Sequence, residues 1–379
     1  MANMLPAGAD TAPRLTDVLR SALESACGEP NRLALPPVQH AVVVLVDGLG
    51  VTNLRAYAGH ARFLAGRMQK RDVIRTVTPS TTAVALSSLL TGSDPGEHGV
   101  TGYRVRDPES GRLVNQLSEI GMLGDDWVRR PGLFERATER GVAVHVVSAP
   151  QYQDSGLTRA IFAGAAFHGV ALRASRFDET AAILAGAAPT VTYLYAPELD
   201  QIGHKSGVAS ARWLAELEAL DAELERFAAR LPVNVGILLT ADHGVVDIPA
   251  ERHVFLDDAP DLLDGVAQIG GEPRGRALYF VPELTSGQRT ALIDGWRQAE
   301  QRRAWVFTRD EAIEAGVFGV VDPALTPRLA DLYLFARAGI AYYDRRESDR
   351  RAELMVGQHG SLTDEEVRVP LIRLGAFRR

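Results

Sequence analysis

Cysteine is nearly absent: Cys27 is the only one in 379 residues. An intrachain disulfide is therefore excluded, and so is a multi-cysteine zinc site. Any metal would have to be held by His, Asp or Glu. Long apolar runs are missing too, since no segment approaches the roughly 18 to 20 residues of a membrane-spanning helix. The opening stretch "MANMLPAGADTAPRLTDVLRSALESACGEP" lacks the uninterrupted apolar run after a basic start that marks a secretory leader. A cytoplasmic protein without a membrane span is the expectation. A basic surplus is also lacking, the net charge being -7, so a nucleic-acid polymer is not an expected partner. There is no internal repeat and no low-complexity tract.

What is present is an ordinary globular composition, 46% hydrophobic and 23% charged. The length allows one large α/β domain with an insertion, or two domains. Leu15, Val18, Leu19 and Leu23 recur at helical spacing, so residues 1–40 read as a lead-in helix followed by the connector "GEPNRLALPP". "HAVVVLVDG" is then a continuous apolar run ending in turn residues, as in a parallel strand buried on both faces. The same pattern recurs in "VAVHVVSAP", "TVTYLYAPE" and "VNVGILLTADHG". The last of these follows an amphipathic stretch carrying Leu214, Leu217, Leu220, Leu224 and Phe227 on one stripe. Strands alternating with helices predict an α/β fold, a mostly parallel sheet sandwiched by helices. The rhythm changes over 249–343, which reads as a smaller inserted α/β cap, with the core formed by 41–248 and 344–379.

Ligands of open parallel sheets bind beyond the carboxyl ends of the strands. Asp47, Asp200 and Asp242 sit at or just after such ends. A lone strand-end Asp is an ordinary turn former, but two of these three have a histidine nearby. Asp200 and His204 are four apart and share a helix face. Asp242 and His243 are adjacent and can serve one ion only if the backbone turns sharply, a turn that Gly244 permits. His359, between glycines in "GQHGS", completes six candidate ligands, enough for two three-residue sites with open positions. "TPSTTAVALSSLLTG" places Thr81 or Thr82 at a helix N-terminus, where backbone N–H groups favour an anion such as phosphate. Ser80 or Thr81 suits the cap, leaving another hydroxyl free to bind metal and act as nucleophile.

In this order, Asp47, "TPSTT…TGSDPGEHG", "ELDQIGHKSG", "ADHG" and "GQHGS" resemble the alkaline phosphatase superfamily, most closely its nucleotide pyrophosphatase/phosphodiesterase branch. The resemblance spans roughly residues 41 to 248 and 350 to 376. It implies an alkaline phosphatase-like fold and two divalent ions, Zn2+ or alternatively Mn2+. One would be held by Asp200, His204 and His359; the other by Asp47, Asp242, His243 and the nucleophile Thr82. The implied reaction hydrolyses phosphate diesters or pyrophosphates through a phosphothreonine intermediate, on a small phosphorylated substrate. His98 falls on a position whose role looks structural. Ala83 stands where nucleotide-cleaving relatives often carry an aromatic residue, and Ala85 offers no amide donor to the phosphoryl group. Arg104 and Tyr152 are candidate substrate contacts. A phosphomonoesterase, phosphonate hydrolase or phosphomutase of the same superfamily stays open as an alternative, and a non-catalytic metal binder as a more remote one. The oligomeric state has no signature in the sequence.

Overall fold

The computed structural model describes residues 12–124 and 126–378; the first eleven residues of the lead-in lie outside them. The four apolar runs become β1 (His40–Val46), β3 (Ala143–Ser148), β5 (Thr190–Ala196) and β6 (Val235–Thr240), and two short strands not expected from the sequence, β2 (Val73–Arg75) and β4 (Ala166–Gly169), join them. With the C-terminal strand Arg368–Gly375 they form one seven-stranded sheet, ordered β2, C-terminal strand, β6, β1, β5, β3, β4. Strands β6, β1, β5, β3 and β4 run parallel, and the C-terminal strand is antiparallel to both of its neighbours. Every residue of β1, β5 and β6 is buried. Such strands need cover on both faces, which explains why their sequences are apolar without alternation.

That cover is helical. α1 (Thr16–Ala26) packs on β1 and on α2 (Thr82–Thr91), while α3 (Arg173–Leu184) packs on β5 and β3. α4 (Glu198–Ser206) follows β5 directly, and α5 (Ala211–Ala229) lies against α3 and α4. Leu217, Leu220, Leu224 and Phe227 are buried along α5 as their spacing predicts. Leu214 is only half-buried; Trp213 takes the innermost place in that turn. Among the described residues no helix is long and apolar enough to cross a membrane.

Between β6 and the C-terminal strand the chain builds a second sheet from β7 (Val266–Glu272), β8 (Gly275–Phe280), β9 (Ala304–Thr308) and β10 (Leu332–Ala336), ordered β7, β8, β10, β9 and antiparallel throughout. Side chains alternate across a strand, and the two faces serve two clusters. Leu278, Phe280, Leu332, Leu334 and Val306 meet Trp296 and Leu292 of α6 (Ser286–Glu300). Ala277, Tyr279, Phe307, Tyr333 and Phe335 pack with Ala312, Val317 and Phe318.

The β7–β8 turn anchors this sheet to the main one. Arg274 there is buried and forms a two-pronged pair with Glu366, at 2.8 Å on each prong. It also donates to the carbonyls of Ala338 and Ile340. Glu366 in turn accepts from the Ser361 N–H at 2.9 Å and from the Thr363 hydroxyl at 2.6 Å. One buried ion pair thus fixes both the insertion and the segment that carries His359.

Candidate active site

Register decides where the carboxylates emerge. Val46 lies level with Ala196, and Leu45 with Thr240, so the three central strands end at one height. The residues that follow them supply Asp47, α4 with Asp200 and His204, and the pair Asp242 and His243. Gly244 is required for a reason other than the turn expected of it: a Cβ there would stand 2.1 Å from the Glu365 carbonyl oxygen.

His359 arrives from far along the chain. Its Nδ1–H donates to the Ser80 carbonyl at 2.9 Å, while the Ser80 hydroxyl donates to the Ser361 carbonyl at 2.7 Å and accepts from the Gly360 N–H. These bonds hold the "GQHGS" segment against the start of α2. His359 stacks on His243 with ring centroids 3.7 Å apart, and His204 lies 5.2 Å from His359. All three imidazoles place Nδ1 against a backbone carbonyl: Gly357 for His204, Gly244 for His243 and Ser80 for His359. His204 and His243 thereby turn Nε2 toward the neighbouring carboxylates, 3.2 Å from Asp200 Oδ2 and 3.3 Å from Asp242 Oδ2, the arrangement that orients a metal-ligating histidine.

Donor atoms of Asp200, His204 and His359 all lie within 4.8 Å of one another, and so do those of Asp47, Asp200 and His243. Asp200 therefore stands between the two groups. His243 Nε2 lies 3.5 Å from Asp47 Oδ1, 3.3 Å from Asp242 Oδ2 and 3.2 Å from the Thr82 hydroxyl. Asp47, Asp242, His243 and Thr82 thus converge on one point. Thr82 is the first residue of α2, and Thr81 occupies the cap position without a capping bond from its side chain.

Three carboxylate oxygens here, Asp47 Oδ1, Asp200 Oδ1 and Asp242 Oδ2, are buried without a hydrogen-bond partner. An orphaned buried carboxylate is costly. Burial, then the charges of Asp242 and Asp200, push Asp47 well above the usual carboxylate range, against the opposing hydrogen bond from Tyr195. Burial, then His243 beside it, push His359 well below the usual imidazole range. Burial acts against ionisation of both Asp200 and His204, but their mutual attraction outweighs it: Asp200 falls below its ordinary range and His204 rises to about 9. Carboxylates and imidazoles with open donor atoms are the oxygen and nitrogen set that divalent cations take. A cation held by Asp200, His204 and His359 would have to displace the His204 proton, so its uptake would weaken as pH falls.

The sequence did not single out two residues of this centre. Tyr195, at the end of β5, donates its phenol to Asp47 Oδ2, which fixes which carboxylate oxygen faces His243. Glu272, at the tip of the β7–β8 hairpin, lies 3.7 Å from His359 Nδ1, and burial lifts its carboxyl to about 8, with the Thr81 hydroxyl working against that shift. A Cβ on Gly360 would meet the Glu272 carboxyl carbon at 2.3 Å, which explains the glycine there. Of the expected substrate contacts, Tyr152 lines the cavity beside Thr82 and packs edge-on against Tyr195. Arg104 is not among the described residues lining it, and its guanidinium lies 3.6 Å from Glu347. His98 is fully buried between the Ser88 hydroxyl and the Val100 N–H, with its pKa lowered by burial to about 3.

The same architecture occurs in solved structures. Murine ectonucleotide pyrophosphatase/phosphodiesterase 5 superposes with a TM-score of 0.67 at 17% identity, over 87% of each chain. The human protein of that name gives 0.68 at 14% identity, over 89% of this chain and 90% of that one. An inactive variant of the murine protein, in complex with AMP, gives 0.68 at 17% identity over 87% of each chain. At these identities the likeness establishes the fold, an alkaline phosphatase-like α/β sandwich. A venom phosphodiesterase from Macrovipera lebetinus is 24% identical over 237 residues, 60% of this chain. The chain matches about a quarter of the length of that curated relative, 26%. The model of the type I phosphodiesterase / nucleotide pyrophosphatase family matches residues 41–362, from the first core strand through the "GQHGS" segment, and the chain belongs to that family.

Proposed function

We propose that the chain hydrolyses phosphate diesters, using Thr82 as nucleophile and two divalent ions, Zn2+ or alternatively Mn2+, at the two donor groups. The observation that carries this reading is the convergence of the Thr82 hydroxyl and the unpartnered oxygens of Asp47 and Asp242 on His243 Nε2. Asp200, His204 and His359 would hold one ion, and Asp47, Asp242, His243 and Thr82 the other. Bound there, the ions would lower the pKa of a hydroxyl and offset charge on the phosphoryl oxygens.

The protein's part is position. The start of α2 presents the Thr82 hydroxyl beside backbone N–H groups that favour the phosphoryl anion. The Thr82 oxygen forms a bond to phosphorus as one ester P–O bond breaks, and the departing oxygen leaves as an alcohol with a proton. Water then breaks the bond between phosphorus and the Thr82 oxygen. The net change is diester plus water to monoester plus alcohol.

Bis-p-nitrophenyl phosphate is expected to be turned over much faster than p-nitrophenyl phosphate, and dialysis against a chelator to abolish the activity until Zn2+ or Mn2+ is restored. Faster turnover of the monoester would favour the phosphomonoesterase alternative; full activity after removal of metal would overturn the reading.

Tyr195 fixes Asp47, so Tyr195→Phe is expected to weaken uptake of one ion by about 10- to 100-fold while leaving the other unchanged. Titration with a competing metal indicator separates the two. Equal affinities in both proteins would remove Tyr195 from that role.

A further inference from the structure

The cavity that opens on Thr82 encloses about 590 Å³, and its two ends differ in character. Asp47, Asp200, His204 and His359 stand at one end. From there it follows one face of the sheet. Tyr193, Val146 and Phe167 all line it, and they are register neighbours on β5, β3 and β4. Neighbouring strands are about 4.8 Å apart, so three strand intervals carry the cavity roughly 14 Å beyond β1. Leu157 and Phe162 add to the apolar wall.

No lysine or arginine is among the described lining residues. Two arginines near it are engaged elsewhere: Arg176 with Glu198 and three backbone carbonyls, and Arg104 beside Glu347. Glu272 in either protonation state adds no positive charge. On the reading above, two divalent ions bring four positive charges against the three carboxylates of Asp47, Asp200 and Asp242. At most one unit remains, which one diester anion neutralises. A further phosphate would enter a mainly apolar space, with the hydroxyls of Ser148, Ser155 and Thr158 but no lysine or arginine among the described lining residues to meet it, and desolvation would oppose it. An apolar ester arm would instead cover the half-buried Tyr152, Phe162 and Phe167.

We propose that this cavity selects singly charged phosphodiesters carrying a bulky apolar ester arm and disfavours substrates with a second charged phosphate. The proposal rests on the diesterase reading and deepens it. Binding separates the two, because a Thr82→Ala protein loaded with Zn2+ reports affinity without turnover. Diphenyl phosphate is expected to bind at least tenfold more tightly than dimethyl phosphate, which carries the same charge without the arms. It is also expected to bind more tightly than P1,P2-diphenyl pyrophosphate, which carries the same arms and one more charge. Phe167→Ser in the same background should cost diphenyl phosphate about fivefold and leave dimethyl phosphate unchanged. Equal binding of the two diesters, tighter binding of the pyrophosphate, or indifference to Phe167→Ser overturns the proposal. If the wild-type protein hydrolyses the diphenyl pyrophosphate faster than the matched diester, this inference fails and the hydrolase reading stands. If it cleaves no diester at all, the hydrolase reading fails, and the binding ratios still report on the cavity.

Discussion

Replacing Thr82 with alanine is expected to remove diester hydrolysis, by on the order of 10³-fold or more in kcat, while the fold and the capacity for metal stay intact. The hydroxyl lies at the first residue of α2, 3.2 Å from His243 Nε2. It is the only hydroxyl at the start of α2 placed against that nitrogen: the Ser80 hydroxyl is spent on Ser361 and Gly360, and that of Thr81 turns toward Glu272. The side chain is small and its methyl is not part of the main apolar core, so the substitution leaves no large void. The six candidate ligand side chains remain, so two ions per chain are expected by metal analysis in both proteins. Thr82→Ser, which restores a hydroxyl at the same atom, should recover a measurable part of the rate. Undiminished turnover by Thr82→Ala would pass the role to Thr81 or discard a covalent step altogether. Loss of activity together with loss of metal would make Thr82 a ligand first and leave the nucleophile unassigned.

The second large effect concerns stability. Glu366→Gln keeps the shape of the side chain but leaves the Arg274 guanidinium, 1% exposed, without its counter-charge. Removing one partner of a buried ion pair costs about 3–5 kcal/mol, because the remaining charge stays desolvated. Glu366 also receives the Ser361 N–H and the Thr363 hydroxyl, so the damage should extend to the segment that positions His359. A fall in the urea midpoint equivalent to about 3 kcal/mol or more is expected, with weakened metal uptake at the Asp200, His204 and His359 group. Replacing both partners with apolar residues, Arg274→Met with Glu366→Leu, should recover much of the loss. A single substitution that shifts the midpoint by less than about 1 kcal/mol would show that solvent reaches the pair on modest rearrangement.

The central sheet was legible because β1, β5 and β6 are covered on both faces, and such strands are written as unbroken apolar runs. The six candidate ligands were legible because Asp and His recur where those runs stop, in places where a parallel sheet binds its ligands. The same unbroken runs hide orientation. Nothing in "TYLYAPE" says that the second tyrosine turns its phenol to Asp47, since a run without alternation does not mark its faces. Glu272 was hidden by distance: "GGEPRG" reads as an ordinary turn, and only the docking of that hairpin on Glu366 brings the carboxyl beside His359 and Thr81. Arg104, a candidate substrate contact given the missing amide donor at Ala85, has its guanidinium 3.6 Å from Glu347 and is not among the described residues lining the cavity.

The bonds between Ser80 and the His359 segment also bear on time. These partners lie 279 to 281 residues apart, and pairings of such separation form late because a long loop must close first. A growing chain on the ribosome can assemble β1, α2, β5 and β6 well before "GQHGS" emerges. Thr82 and five of the six candidate ligands precede that segment in the chain, and His359 alone belongs to it. The candidate group of Asp200, His204 and His359 is therefore completed only after the insertion, which supplies Glu272 and Pro273 to the cavity, has been made.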